Sequence, residues 1–162
     1  MKKLVTLTGI LALCILLSGC PYETKVPIDN PTVKINPKLI GTWEEQKDHD
    51  VYKVTRQDEF TYAIEEIEKE KNKVDHNIAY LSEVNGVTFL NLSENKPSGS
   101  EKKYQLYKIE MRGDDLIRVF PVTENIREQF TSSGELKKFI GGNKKNSYFF
   151  EQAVSLIRTK KK

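Results

Sequence analysis

Cys14 and Cys20 are the two cysteines of this 162-residue chain, and their thiols are the most reactive groups that the sequence offers. Cys14 lies within an apolar run, whereas Cys20 follows the small pair Ser18-Gly19 at the end of that run. Removal of the run before Cys20 would leave a single thiol, which can form neither an intrachain disulfide nor a zinc site built from several cysteines.

The histidines and carboxylates of the chain do not form a recognisable catalytic pattern. His49 lies between two aspartates at a predicted hairpin tip, where successive side chains diverge, and His76 follows an aspartate in a predicted strand. Nucleophilic catalysis needs a base held against a serine, threonine or cysteine, and no motif places either histidine in that way. Residues 65–73 mix acids and lysines, as a solvated turn does, and the glycines are not spaced as in a phosphate-binding loop. We predict a protein that is not an enzyme and has no catalytic residue, metal or cofactor; a hydrolase that uses one of the histidines is an alternative.

The first nineteen residues have the organisation of a secretory signal peptide. Lys2 and Lys3 form a basic head, and the apolar run that follows has about fourteen residues, fewer than the twenty or so that span a membrane. The tetrapeptide Leu17-Ser18-Gly19-Cys20 ends the run and resembles the lipobox of bacterial lipoproteins. The resemblance implies that the chain is cut before Cys20 and that the Cys20 thiol carries a diacylglycerol. An ordinary signal peptide and an inner-membrane anchor are the alternatives.

An acylated Cys20 would attach the protein to a membrane of the cell envelope. Each buried methylene contributes about 0.8 kcal/mol, so the two or three acyl chains of a lipoprotein form a firm anchor. In a Gram-negative cell we expect the outer membrane, on its periplasmic face. The net charge of +3 falls to +1 without Lys2 and Lys3, which is not the basic excess of a nucleic-acid-binding protein.

Prolines are concentrated just after Cys20. Four of the six prolines of the chain lie in residues 21–37, and this stretch lacks apolar periodicity. The pattern predicts an extended tether over residues 20–37, which at about 3.1 Å per residue could reach roughly 50 Å. Alternatively, the segment packs on the domain through Val33 and Ile35. Residues 38–162 are enough for one small domain.

Strand patterns dominate this domain. Phe60, Tyr62 and Ile64 alternate with smaller or charged residues, and Asn85-Gly86 is the sequence of a two-residue hairpin turn. In the sixth strand the apolar residues change face between Leu106 and Tyr107, which predicts a β-bulge. The predicted strands cover residues 41–46, 51–56, 59–67, 78–81, 87–92, 104–111, 116–120 and 148–158.

One helix is predicted before the last strand. Ser132 and Glu135 have the spacing of a capping box, Leu136, Phe139 and Ile140 share one face, and Gly141-Gly142 is expected to end the helix. Eight short strands joined mainly by hairpins can close on themselves and so remove the unpaired edges of an open sheet. We therefore predict a mainly β fold, an eight-stranded antiparallel meander barrel with a short helical insert before the last strand.

Gly41-x-Trp43 in the first strand of the domain resembles the signature of the lipocalin and calycin barrels. The resemblance implies that Trp43 closes the barrel floor and that Arg158, at the end of the last strand, packs across the indole ring. Members of that family place their helix after the last strand, whereas here it comes before it. The chain also resembles small bacterial lipoproteins with lipocalin-like domains, a likeness that bears on the fold more than on the function.

The function expected from these features is non-catalytic binding. A small apolar ligand would lie in a pocket lined by Tyr62, Tyr80, Phe89 and Tyr104, which are chosen from the alternation alone. The many large side chains in the strands favour a filled interior or a shallow pocket. The alternative is a protein-interaction or inhibitor module of the envelope that uses its barrel loops and has no ligand cavity.

Overall fold

The computed structural model of the chain describes residues 21–97 and 99–159, so the predicted signal peptide and Cys20 lie outside the described residues. In chain order these residues form β1 (Glu23–Thr24), a 3-10 helix (Pro37–Leu39), β2 (Gly41–Glu45), β3 (Val51–Arg56), β4 (Thr61–Glu68), β5 (Lys73–Val84), β6 (Val87–Glu94), β7 (Tyr104–Met111), β8 (Leu116–Pro121), α1 (Ser133–Asn143), a second 3-10 helix (Ser147–Phe149) and β9 (Val154–Arg158). No helix in the described part of the chain has the length and apolar character needed to cross a membrane.

Strands β2 to β9 form a closed antiparallel barrel. Each strand pairs with the next along the chain, and β9 returns to pair with β2, where Arg158 lies opposite Trp43. The short strand β1 lies outside this ring and pairs with the start of β7, with Glu23 opposite Gln105. The predicted fold class, a mainly β eight-stranded antiparallel barrel with a short helix before its last strand, is confirmed.

Both faces of the barrel wall carry apolar cores. The inner face holds Trp43, Tyr62 and Leu81. The outer core lies on the opposite face, where α1 and the N-terminal segment (residues 21–36) cover the wall. Its buried members are Tyr22, Ile28, Val84, Phe89, Leu106, Val122, Leu136, Ile140 and Phe149.

The covered outer face explains why no bulge is needed in β7. Leu106 pairs with Asn91 and Tyr107 pairs with Leu90 in an uninterrupted ladder. Tyr107 therefore faces the interior and Leu106 faces the outer core, as strict alternation requires. The predicted bulge is wrong because two successive apolar residues can both be buried when each face of the strand is covered.

The N-terminal segment lies on the barrel and does not extend away as a tether. Tyr22 donates its backbone N–H to the carbonyl of Val122 over 3.0 Å, and Ile28 donates its N–H to Asn91 Oδ1 over 2.9 Å. Ile28 is fully buried. Val33 and Ile35 pack against the inner core, which is the packing considered as the alternative.

Helix α1 begins as its capping residues indicate but ends later than expected. The Ser132 side chain accepts a hydrogen bond from the N–H of Glu135 over 3.3 Å. Gly141 and Gly142 lie within the helix, which continues to Asn143. The helix packs closely on the end of β5 and the turn after it, since a Cβ at Gly141 would lie 3.6 Å from Val84 Cγ1 and 3.2 Å from Asn85 Nδ2. After the helix, the second 3-10 helix precedes β9, so the last strand is shorter than predicted.

Candidate functional site

The interior of the barrel keeps a cavity of about 160 Å³. Its wall is made of inward-facing aliphatic side chains, namely Val54, Ile64, Leu90, Ile109, Val119 and Leu156. Three tyrosines, Tyr52, Tyr62 and Tyr107, add aromatic surface. The large side chains noted in the sequence therefore leave space inside, because many of them belong to the outer core.

Trp43 closes one end of this cavity. It is fully buried, and its indole Nε1–H donates to the carbonyl of Leu39 over 2.9 Å. The Cζ atom of Arg158 lies 4.1 Å from the centroid of the Trp43 ring. The same guanidinium donates to the carbonyls of Ile40 and Asp114, at 2.9 Å each. Arg158 at the end of β9 is thus bonded both to the start of β2 and to the turn between β7 and β8.

Gly41 is part of this floor for two physical reasons. Its φ is +146°, a region that side chains disfavour. A Cβ at Gly41 would also lie 2.4 Å from Nη1 of Arg158, which is closer than real contacts allow. The structure thus brings the three residues of the predicted closure, Gly41, Trp43 and Arg158, into one contact.

At the other end, the apolar cavity meets a polar cleft of about 220 Å³. The cavity and the cleft share three lining residues, Glu66, Asn77 and Leu92. Glu66 and Asn77 therefore lie at the junction, where the Asn77 amide Nδ2 approaches Glu66 Oε2 at 3.5 Å. Lysines and acids line the rest of the cleft, and Glu23 of β1 belongs to this rim.

Glu66 has an unfavourable environment for a negative charge. Burial raises the pKa of its carboxyl above the usual range, and the nearby charges of Glu68, Asp75 and Asp50 raise the pKa further, while a hydrogen bond with Tyr52 opposes them. Burial also raises the pKa of the Tyr52 and Tyr107 hydroxyls, and the Glu66 charge adds to both shifts.

The raised pKa makes the stability effect of Glu66 depend on pH. An acid whose pKa is higher in the folded than in the unfolded state destabilises the fold when it is ionised, and this destabilisation is lost as pH falls from the folded-state pKa to below the unfolded-state pKa. We expect Glu66→Gln to raise the free energy of unfolding at neutral pH by about 0.5–2 kcal/mol. The gain should shrink as pH falls through the raised pKa of Glu66 and disappear at about pH 4, below which the carboxyl is largely protonated in the unfolded chain as well. Urea unfolding followed by circular dichroism measures both values.

Glu65→Gln is the matched control for that measurement. Glu65 is the neighbouring residue on β4, faces outward and lies 2.6 Å from Lys53 Nζ. This ion pair lowers the pKa of Glu65, the opposite direction to that of Glu66. The control should leave stability at neutral pH unchanged or slightly reduced. Equal effects of the two substitutions would contradict the environment described for Glu66.

The structure does not bring the four residues of the predicted pocket together. Tyr62 lines the cavity, and its hydroxyl accepts the N–H of Asn36 over 2.6 Å. Phe89 is buried in the outer core, against which Tyr104 packs. Tyr80 makes an edge-to-face contact with Tyr104, with ring centroids 6.4 Å apart. Alternation identifies two faces of a strand, and here three of the four residues lie on the outer one.

Sequence reasoning also misses the polar residues of the site. The charged stretch around Glu66 suggests only a solvated hairpin tip, and no pattern singles out Asn77. A signal for Glu66 is nevertheless present, because the alternation of Tyr62 and Ile64 continues to position 66 on the same face. The bulge predicted in β7 would place Leu106 and Tyr107 on one face, whereas Tyr107 lines the cavity and Leu106 belongs to the outer core.

Neither histidine lies in the cavity. His49 Nδ1 is 3.0 Å from Glu44 Oε1 on an exposed hairpin, and His76 lies opposite Glu65 on the outer face of β5. Within residues 21–97 and 99–159, no three histidine, cysteine or acidic side chains are grouped so that they could hold a metal ion.

Comparison of the chain with protein-family models, with curated proteins and with solved structures finds no match. The class of protein is therefore inferred from the geometry of the cavity and from the residues of the sequence.

Proposed function

We propose that this chain is a lipid-anchored binding protein of the bacterial cell envelope that holds a small apolar ligand inside its barrel without catalysis. The observation that carries the proposal is the cavity of about 160 Å³ with aliphatic and aromatic walls. An apolar cavity of similar size, about 150 Å³, stays dry in another protein and binds benzene. The space thus suits a ligand with one ring or a short alkyl chain.

The cavity favours ligand binding over the alternative of a protein-interaction module. That alternative expects a filled interior and a flat apolar patch on the surface. In the described residues the large exposed apolar side chains are Val74, Tyr148 and Ile157. They belong to β5, the second 3-10 helix and β9, and single exposed residues of this kind are normal for soluble surfaces.

The packing of the N-terminal segment supports a close connection between anchor and cavity. Tyr22 is buried on the barrel, and its hydroxyl donates to the carbonyl of Glu128 over 2.9 Å. Cys20 precedes Tyr22 by two residues, so at most about 7 Å of extended chain separates them. Glu23 lines the polar cleft beside the cavity. Acyl chains on Cys20 would keep this opening close to the membrane that holds them.

Filling the cavity should abolish binding. Val119 lines the cavity, and we expect Val119→Phe to weaken the binding of toluene at least about tenfold, since the added ring occupies the space of the ligand. Trp43 is the single tryptophan of the chain and lines the same cavity, so its fluorescence reports the titration directly.

Ile157→Phe provides the control. Ile157 lies on β9 and is exposed, so an added ring there should leave the toluene affinity unchanged. Unfolding curves of both variants separate a filled cavity from a damaged fold. Unaltered toluene binding by a folded Val119→Phe protein, or no binding by the unsubstituted protein, would contradict the proposal.

A further inference from the structure

We infer that the ligand of the barrel carries a cationic amine, which the Glu66 carboxylate binds at the junction between the cavity and the polar cleft. The inference rests on the proposed function and specifies the chemical class of ligand for the same site. It depends on where Glu66 lies, on which charges surround it and on the size and character of the adjoining space.

Glu66 is the acid that lines the apolar cavity itself, in the part of the chain that the structure describes. Glu66 is on β4 and is the next inward-facing residue after Ile64. On the adjacent strands it lies opposite Tyr52 of β3 and Asp75 of β5. Its oxygens therefore lie within reach of both the cavity and the cleft. A ligand with its apolar body among the aliphatic side chains would place a polar head beside Glu66.

Three of the four lysines that line the cleft are paired with acids other than Glu66. Lys73 Nζ lies 2.5 Å from Asp75 Oδ2, Lys96 Nζ lies 2.6 Å from Glu94 Oε2, and Lys103 Nζ lies 3.1 Å from Glu23 Oε2. Within residues 21–97 and 99–159, no lysine or arginine forms an ion pair with Glu66. The charge of Glu66 is thus not compensated by the rim that surrounds it.

The groups that face Glu66 favour a cation. The acids near Glu66 are Asp50 before β3, Glu68 of β4 and Asp75 of β5. The neutral polar groups are Tyr52 of β3, Asn77 of β5 and Tyr107 of β7. Lys73 lines the rim on the side of β5, and Lys102 and Lys103 line it just before β7. The charges of three other carboxylates thus add to the negative potential at Glu66, beside a low-dielectric cavity where a buried negative charge is costly unless it is paired. An ammonium group bound there would supply the missing positive charge.

The adjoining walls suit the rest of such a ligand. Tyr52 and Tyr107 line the cavity beside Glu66, and aromatic rings attract cations to their faces. The cavity volume limits the apolar body to about one ring. Benzylamine, benzyl alcohol and toluene share that ring and differ in their head group, so they form a matched set of probes.

The test is a titration of the protein with these three probes at neutral pH, followed by Trp43 fluorescence and by calorimetry. We expect benzylamine to bind about tenfold or more tightly than benzyl alcohol, the advantage of a charge-assisted hydrogen bond over a neutral one. Glu66→Gln should remove this advantage, and Glu65→Gln should keep it. The advantage should also fall as pH is lowered through the raised pKa of Glu66, with toluene binding unchanged.

The outcomes separate this inference from the proposed function. Equal affinities for benzylamine and benzyl alcohol, or an amine preference that survives Glu66→Gln, would overturn the inference. Toluene binding without a preference for the amine would also overturn it, while the proposed function stands. If none of the three probes binds, the proposed function fails and the inference fails with it.

Discussion

Replacing Trp43 with alanine is expected to lower the free energy of unfolding by about 3–5 kcal/mol, a large part of the 5–15 kcal/mol that a domain usually has. Trp43 is the largest fully buried side chain, and its removal takes away the floor of the inner core. The substitution also leaves the guanidinium of Arg158 without its indole contact at 4.1 Å. For a domain of this size the melting temperature should fall by about 10 °C.

Trp43→Phe is the control for this loss. Phenylalanine keeps an aromatic ring under Arg158 but cannot donate to the carbonyl of Leu39, as the indole N–H does over 2.9 Å. We expect it to cost about 1–2 kcal/mol, the value of one hydrogen bond and a small cavity. Urea unfolding should be followed by circular dichroism, since both variants lack the fluorescent residue. If the free energy of unfolding of the Trp43→Ala protein lies within about 1 kcal/mol of that of the unsubstituted protein, the role of this floor is contradicted.

Replacing Cys20 with serine is expected to move the protein from the membrane fraction to the aqueous fraction. In the proposed anchor the Cys20 thiol carries a diacylglycerol, which a serine hydroxyl would not receive, so the variant would lose its acyl chains. With about 0.8 kcal/mol for each buried methylene, that loss removes essentially all of the membrane affinity. Ultracentrifugation of lysed bacterial cells, with immunoblotting of both fractions, measures the change.

Cys14→Ser is the matched control, because Cys14 lies in the part of the chain that would be removed. It should leave the membrane partition unchanged. Mass spectrometry of the purified protein adds a direct readout, since residue 20 should be the N-terminal residue and carry the mass of its acyl groups. An unmodified Cys20, or a Cys20→Ser protein that stays in the membrane fraction, would contradict the proposed anchor.

Local patterns predicted the number and order of the barrel strands, although β5 is longer and β9 shorter than the predicted residues 78–81 and 148–158. Strand β3 spans the predicted residues 51–56, and Asn85 and Gly86 form the expected turn with φ of 48° and 77°. These features depend on residues close in sequence, such as alternation along one strand or a turn that requires positive φ. The confirmed fold class followed from them because consecutive antiparallel strands need little more than hairpins to pair.

Which face of each strand points inward could not be predicted from alternation alone. Residues 21–36 have no apolar periodicity, so nothing local indicated that Tyr22 and Ile28 pack on the barrel. Once this segment and α1 cover the wall, Phe89 and Leu106 are as deeply buried as Tyr62. The identity of the interior depends on these long-range contacts, which explains why the predicted pocket contained residues of both cores.

Glu66 illustrates a second limit. In the sequence it is one acid among several at a charged hairpin tip, and its neighbours Glu65 and Glu68 form ion pairs with Lys53 and Lys71. Its position at the cavity appears only when β4 is placed in the barrel. A partly buried acid that lies at a cavity and has no ion-pair partner is a candidate for a site that a ligand completes.

The most direct measurement of the central claim is a methyl NMR titration of the protein with toluene, because the two cores carry separate sets of methyl groups. We predict that shifts are confined to methyl groups that line the cavity, among them those of Leu90, Ile109, Val119 and Leu156. Ile28, Leu106, Leu136 and Ile140 of the outer core should keep their positions. Shifts in the outer core with none in the cavity, or no shifts at all, would contradict the account of an interior binding site.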